Sequence, residues 1–223
     1  MKNKLFLAFL FFIFVPLSLF AEDFSFSAES MSGEMLKGRE QVILSGNAIV
    51  ISGGMRIEAD RMDLSGKDFR FVQCQGNVRV NDKDRGIRLS TESLYYDRRD
   101  KIARLSGPSI MEDRENRLVI KGDYIEDDDS LKLTIIQINV RILKENLSCR
   151  AEFARYDRNS KILELNGAPE VVNKGDRYSA SSIRVNIETE DIVMTGSVSG
   201  TVKSSEQKNN SGDVTNKKPG SEP

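Results

Sequence analysis

Histidine and tryptophan are both missing from this 223-residue sequence, and cysteine occurs only twice. Without histidine the chain lacks the most frequent general base, which the usual serine and cysteine triads and most zinc sites also need. Carboxylates are numerous, but their positions in the sequence pair none of them. We therefore expect no enzyme, no catalytic residue, no cofactor and no metal site.

One acidic run invites comparison with a calcium loop. Glu126–Asp129 is acidic throughout, yet it lacks the spaced Asp or Asn ligands, the central glycine and the terminal glutamate of that motif. A solvated hairpin tip is the better interpretation of such a run.

The two cysteines, Cys74 and Cys149, fall in different repeats, and a disulfide needs Cα atoms within ~7 Å. We expect them to be two small apolar side chains on strand faces.

Basic and acidic residues are nearly balanced, at 33 and 34. Such a balance gives no clustered basic surface of the kind that nucleic acid requires, so we expect no nucleic-acid partner.

The N-terminus differs in composition from the rest of the chain. Lys2 and Lys4 precede an uncharged run, Leu5–Ala21, which is the pattern of a secretory signal peptide over residues 1–21. An uncleaved anchor is the alternative, because the run is near the lower limit of ~17 residues for crossing a bilayer.

A repeat of about 30 residues organises the rest of the chain. Small-residue turns are predicted at regular intervals, at Gly46, Gly76, Gly107, Ile138, Gly167 and Gly196. At Ile138 the glycine is lost, so the turn is made differently there or the strand runs straight through. Roughly 13 to 15 residues after each of the first five positions comes a small residue followed by an acidic or polar one, namely Ala59-Asp60, Thr91-Glu92, Gly122-Asp123, Ala151-Glu152 and Ala180-Ser181.

Alternation within the repeats predicts β-strands. In Ser45–Asp63 the side chains of Met55, Ile57 and Ala59 share one face of a strand, and charged residues occupy the other. Charged hairpin tips are predicted at residues 98–101, 127–130 and 158–161. We therefore expect an all-β repeat domain over residues 22–202, followed by a polar, disordered tail over residues 203–223.

The apolar face is the remaining candidate for function. Its predicted lining residues are Phe24, Phe26, Ala48, Val50, Met55, Ile57, Met62, Leu64, Val78, Val80, Ile87, Leu89, Leu94, Leu118, Ile120, Leu133, Ile135, Val140, Ile142, Tyr178, Ile183, Val185 and Ile187. They either fill a closed sandwich core between sheets ~10 Å apart or line a groove for an apolar ligand. Composition does not decide between the two.

Three segments carry a resemblance to a known family. Leu44–Val50, Arg56–Asp60 and Met62–Leu64, with the preceding strand Phe26–Ser30, resemble the OstA-like domain of the LptA family of lipopolysaccharide-transport proteins. The resemblance extends over residues 23–202, is strongest over residues 24–80 and weakens after Gly107. It implies a twisted two-sheet β-jellyroll, a folded leaf that is open along one side and at both ends.

The resemblance also implies a periplasmic location, a ligand and partners. The ligand is lipopolysaccharide, whose lipid A acyl chains would lie in an apolar groove. The groove residues are Phe24, Phe26, Ala28, Val50, Met55, Ile57, Met62, Leu64, Val78, Val80, Ile87 and Leu89. Partners would be LptC-like and LptD-like proteins joined end to end by strand addition, with a homo-oligomer as a further option.

Three hypotheses follow. The first is a periplasmic carrier and bridge for lipopolysaccharide. The second is an LptC-like subunit that keeps residues 1–21 as a membrane anchor. The third is an exported β-repeat structural or interaction protein whose core is filled and binds no lipid.

Overall fold

The computed structural model describes residues 24–34, 36 and 40–203. In that range the chain forms β-strands joined by short connections, with one 3-10 turn at Lys67–Phe69. The strands are β1 (Phe24–Ser27), β2 (Ser30–Glu34), β3 (Gln41–Ser52), β4 (Met55–Ser65), β5 (Phe71–Asp82), β6 (Ile87–Asp97), β7 (Ile102–Asp113), β8 (Leu118–Asp128), β9 (Leu133–Lys144), β10 (Leu147–Asp157), β11 (Ile162–Asn166), β12 (Glu170–Asn173), β13 (Asp176–Ser179), β14 (Ser182–Asn186), β15 (Ile192–Thr195) and β16 (Ser199–Thr201). The expected all-β class is confirmed.

Every pairing is antiparallel, and β3 to β10 form a continuous meander. Each of these long strands shifts register near its middle, as β3 and β4 do between Ser45 and Ala48. The shift divides each strand into two halves that pair in different layers. The C-terminal half of β3 pairs with β1, whereas its N-terminal half pairs with β2. The meander is thus folded lengthwise into two sheets.

The two layers keep separate strand orders. Sheet 1 runs from β1 through one half of each long strand to β12, β13 and β16. Sheet 2 runs from β2 through the other halves to β11, β14 and β15. This is the twisted two-sheet β-jellyroll that was expected, and its sheets do not close into a barrel.

The core lies between the two sheets, because alternate residues of both point inward. In β5, for example, Val72 and Cys74 face inward from sheet 2, while Val78 and Val80 face inward from sheet 1, and all four are buried. Cys149 is buried on sheet 1 in β10, several strands along the meander from Cys74 in β5. Both cysteines are free, as their positions in the sequence suggested.

The small-residue positions are not chain reversals, so that part of the prediction is wrong. Gly46, Gly76 and Gly107 lie inside β3, β5 and β7, with φ of 78°, 73° and 88°, at the points where the strands pass between sheets. A left-handed residue at a β-bulge bends its strand sharply. Ile138 makes the same bend with φ of 63°, although β-branched residues rarely adopt this conformation. We call this row of bends the spine.

The actual reversals are hairpin tips on the side opposite the spine. The predicted charged tips are confirmed, because β6, β8 and β10 end at Asp97, Asp128 and Asp157 and the next strands begin within five residues. The predicted leader, residues 1–21, lies outside the described residues, as does the predicted tail beyond Lys203. In the part of the chain that is described, no helix has the length and apolar character needed to cross a membrane.

Candidate functional site

The apolar interior is the candidate site. Eight of the twelve predicted groove residues are buried in it, namely Val50, Ile57, Met62, Leu64, Val78, Val80, Ile87 and Leu89. They come from β3, β4, β5 and β6, so both sheets contribute to the same apolar space. The other four, Phe24, Phe26, Ala28 and Met55, are partly buried and pack against this core.

An aromatic cluster lies at the β1 end of the interior. The ring of Phe69, from the 3-10 turn after β4, stacks on Phe24 at 5.6 Å between centroids and meets Phe26 edge-on at 5.9 Å. The guanidinium carbon of Arg98 lies 4.1 Å from the centre of the Phe24 ring. Sequence reasoning found the two strand aromatics but not Phe69, because Phe69 lies in a turn where alternation gives no information.

The wider lining set contains one register error, in β9. Leu133 and Ile135 point outward, and the inward positions are held by Thr134 and Ile136, which are both buried. Residues 133–136 include apolar side chains on both faces of the strand, so alternation could not choose between the faces. The hydroxyl of Thr134 donates to Asp127 at 2.8 Å, which compensates for burying a polar side chain.

The empty space between the sheets is smaller in the apolar interior than at the hairpin tips. A cavity of about 20 Å³ is bounded by Met55, Val80, Ile87, Leu94 and Tyr96, among other residues. A cavity of that size holds about one water molecule. A larger cavity, of about 150 Å³, lies between the tips of the two sheets and is bounded by Ser52, Met55, Arg85 and Arg98, among other residues. The cavity in the apolar interior is thus too small for a ligand larger than water unless the surrounding side chains move.

The spine is held by a recurring polar contact. At Gly46 the bend is covered by the side chain of Glu29, and the amide of Asn47 donates to that carboxylate at 2.6 Å. Asn77 donates to Asp60 at 2.8 Å in the same way, and Asn139 donates to Asp123 at 2.5 Å. The small-then-acidic pairs seen in the sequence therefore supply the acid that caps the bend of the next repeat.

The opposite side of the folded sheet is closed by contacts that side chains make, and we call it the seam. Two rows of hairpin tips meet there, one from each sheet. At its middle Arg85, from the β5–β6 tip of sheet 1, donates to Asp127 of sheet 2 at 2.6 Å and lies 3.1 Å from Asp129. Arg158 also contacts Asp127, whose side chain is only 2% exposed.

The acidic run is thus not a solvated tip, and that expectation is wrong. Asp127 faces inward and is neutralised by two arginines of other repeats. Burial works against the charge of Asp129, yet hydrogen bonding from Lys132 and the charge of Arg85 outweigh it and lower the pKa of that carboxyl. The carboxylates of Asp127 and Asp129 form an ion-pair network with Arg85 and Arg158.

Weaker polar contacts continue along the seam in both directions. Arg98 donates to the Ser52 hydroxyl at 3.3 Å, and Lys161 donates to Asn116 at 2.7 Å. Towards the C-terminal end Lys174 and Glu190 are 2.5 Å apart. Each contact joins a tip of sheet 1 to a tip of sheet 2. Sequence reasoning missed the seam, although the charged residues of the alternate tips were its visible signal.

Both ends of the folded sheet present edge strands. At one end, β2 is exposed along its whole length, and Met31 and Leu36 are exposed nearby. At the other end, β15 and β16 are the last strands of their sheets, and Val193 and Val198 are exposed beside them. An unpaired strand edge is a template for another chain.

Comparison with known proteins gives one family. Residues 27–132 match the family described as "LptA/(LptD N-terminal domain) LPS transport protein", from the end of β1 to the tip between β8 and β9. Among solved structures, the chain matches LptH of Pseudomonas aeruginosa, an LptA-homologous periplasmic component of the lipopolysaccharide transport device. The identity is 9%, the TM-score is 0.25, and the match covers 82% of this chain and 96% of LptH. No curated protein sequence matches.

Proposed function

We propose that this chain, whose residues 27–132 match the LptA/LptD N-terminal-domain family of lipopolysaccharide (LPS) transport proteins, is a periplasmic carrier. In this proposal the space between the sheets takes up the acyl chains of LPS and shields them between the inner and outer membranes. The observation that carries it is the unbroken apolar interior, to which both sheets contribute along the meander.

The chemistry of that interior suits acyl chains. Its walls are mostly aliphatic, and moving one methylene group from water into such surroundings is worth ~0.8 kcal/mol. Several chains together could not cross water unshielded at that cost per methylene. Aliphatic walls make no directional bonds, so a bound chain is free to slide along the groove.

Access requires the seam to open. The two sheets are continuous through the spine, where each long strand passes from one to the other. Across the seam, the contacts among the described residues are made by side chains, to other side chains or, from Lys144, to the backbone carbonyl of Ile187. Exposed ion pairs such as Lys174–Glu190 contribute little. We propose that the sheets separate along the seam, with the spine as the hinge, and that acyl chains replace the side chains now packed between them.

The ends of the fold would join the protein to its partners. Exposed edge strands at both ends fit strand addition by the same fold in LptC-like and LptD-like proteins, or in a second copy of this chain. The exposed valines beside β15 and β16 would be buried in such a junction. An end-to-end junction would extend the apolar interior from one protein into the next.

A second candidate has its own support. The packing of the interior favours an exported interaction protein whose core is filled and binds no lipid, since the cavity bounded by Val80, Leu94 and Tyr96 measures only about 20 Å³. The two proposals differ in one observable property, which is whether LPS ever contacts an inward-facing side chain.

Photo-cross-linking tests this directly. We would replace Phe26, which packs on the core, with p-benzoylphenylalanine, and make the same replacement at Phe71, which stacks on Tyr95 at 6.0 Å on the outer face of sheet 2. The carrier proposal predicts that LPS is captured at Phe26 and not at Phe71. No capture at Phe26 by a folded protein, or equal capture at both positions, would favour the filled-core alternative.

A further inference from the structure

Three cations stand in a row on the outer face of sheet 1. Lys121 of β8 lies directly opposite Arg141 of β9, and Arg141 lies directly opposite Arg150 of β10. All three side chains are exposed. With strands ~4.8 Å apart, the three positions span roughly 10 Å. We call this row the cation ladder.

The fold does not compensate these charges. In the described part of the chain none of the three has a carboxylate within ion-pair distance. Glu170 lies opposite Arg150, but its carboxylate accepts from Arg177 at 2.8 Å instead. Like charges directly opposite each other on adjacent strands destabilise a sheet. No ion pair within the described chain therefore offsets the repulsion along the ladder.

The outer face of sheet 2 shows the contrary arrangement. There Arg104 pairs with Glu126 at 2.7 Å, and Glu164 lies between Arg155 and Arg184, at 3.4 and 2.8 Å. These arginines also come from adjacent or nearby strands, and each has an acid opposite it. The contrast between the two outer faces points to a ligand outside the chain that supplies the missing negative charge.

Aliphatic side chains border the ladder. Ile110, which is 36% exposed, lies opposite Lys121, and Val119 lies opposite Leu143, which is 40% exposed. Cations mixed with exposed aliphatic side chains are typical of surfaces that lie on a lipid headgroup layer. We propose that the cation ladder and these aliphatic residues form a membrane-contact surface that binds the headgroups of anionic phospholipids. This surface faces away from the interior, so the inference does not depend on the proposed carrier function.

Vesicle binding tests the inference. The protein without residues 1–21 would be sedimented with vesicles of phosphatidylglycerol and phosphatidylcholine, and separately with phosphatidylcholine alone. We expect binding to the anionic vesicles only, weakened by salt because the attraction is screened. Each Lys or Arg near an anionic leaflet strengthens binding about fivefold. The variant K121Q/R141Q/R150Q should therefore bind roughly 100-fold more weakly.

A matched control removes the same net charge from the other face. The variant R104Q/R155Q/R184Q should keep its vesicle binding within a few-fold. Equal loss of vesicle binding in both variants would show that only the net charge of the protein matters. Binding to inorganic phosphate or to an acidic protein, without binding to vesicles, would show that the ladder has a different ligand. Either result overturns the proposal.

Thermal unfolding gives a second readout. Because removing like charges relieves repulsion, the ladder variant should melt at the same temperature as the wild type or higher. A clear drop in the melting temperature would mean that the ladder serves the fold rather than a ligand, and would also overturn the proposal.

Discussion

The two long sides of this folded sheet are built in opposite ways. At the spine every long strand passes through the bend, so the sheets are covalently continuous and a capping acid recurs from repeat to repeat. At the seam the contacts between the sheets, as far as the chain is described, are made by side chains of the hairpin tips. A fold with one continuous side and one side closed by polar contacts has a built-in direction of opening.

The contrast also shows where stability resides along the seam. Its middle is a buried network in which Asp127 meets Arg85 and Arg158, whereas its ends are exposed contacts such as Lys174–Glu190. Removing one partner of a buried ion pair is far more costly than removing one partner of an exposed pair. The middle of the seam should therefore be the last part to open.

The largest effect is expected at that middle. Asp127→Asn removes the charge that both arginines need and should lower the free energy of unfolding by about 3–5 kcal/mol. The adjacent Glu126→Gln, which breaks the half-exposed pair with Arg104 on the outer face, should cost less than about 1 kcal/mol. Chemical denaturation of both variants measures the difference. Similar losses for the two would remove the distinction between seam and outer face.

A smaller effect is expected at the spine, with opposite signs at two bends. A Cβ at Gly76, where φ is 73°, would lie 2.4 Å from the Asp60 carboxylate, so Gly76→Ala should destabilise by about 1–2 kcal/mol. Ile138→Gly relieves the left-handed strain at a half-exposed side chain and should stabilise by about 0.5–1 kcal/mol. Denaturant midpoints check both signs. If Ile138→Gly destabilised the protein, the spine would not be a set of equivalent bends.

The smallest expected effect is on the stability of the fold at acidic pH. Hydrogen bonds from Arg70 lower the pKa of Asp97, beside the β6–β7 tip. A carboxylate with a lowered folded-state pKa stabilises the fold above its unfolded-state pKa of ~3.9, and this stabilisation is lost as the pH falls through the folded-state value. Arg70→Gln should therefore lose less stability than the wild type between about pH 5 and pH 2. Arg99→Gln, whose exposed side chain contacts Asp100 instead, is the control and should follow the wild type.

Much of this fold was predictable from the alternation of apolar and polar residues and from the charged residues at the hairpin tips. Period-2 patterns identify the inward faces of β3, β4 and β5, and the charged tips after β6 and β10 are plain in the sequence. The family resemblance, stated from residues 44–64, is confirmed by a family match over residues 27–132. These features are local, so a single strand or turn carries each of them.

What could not be predicted depends on contacts between repeats. A glycine with positive φ serves a reversal or a bend equally well, so Gly46 and Gly76 were interpreted as turns. The inward face of β9 was missed because both faces near Ile135 and Ile136 carry aliphatic residues. Seam contacts such as Arg85 with Asp127 and Arg98 with Ser52 join residues 42 and 46 positions apart, which no local pattern can pair. Whether the interior opens is a property of that seam, so the groove residues remain a proposal.

The measurement that tests the account most directly is LPS binding with the seam locked. Cysteines at Asn116 and Lys161, whose side chains now meet at 2.7 Å across the seam, would be joined by a cleavable bifunctional thiol reagent. Burial raises the pKa of Cys74 and Cys149 to about 12, so the native thiols should not react. The control joins cysteines at Glu164 and Arg184, which face each other within sheet 2.

The account predicts that the seam-locked protein loses LPS binding and regains it when the linker is cleaved, while the control binds LPS throughout. Undiminished binding by the seam-locked protein would contradict the central claim that acyl chains enter between the sheets by opening the seam.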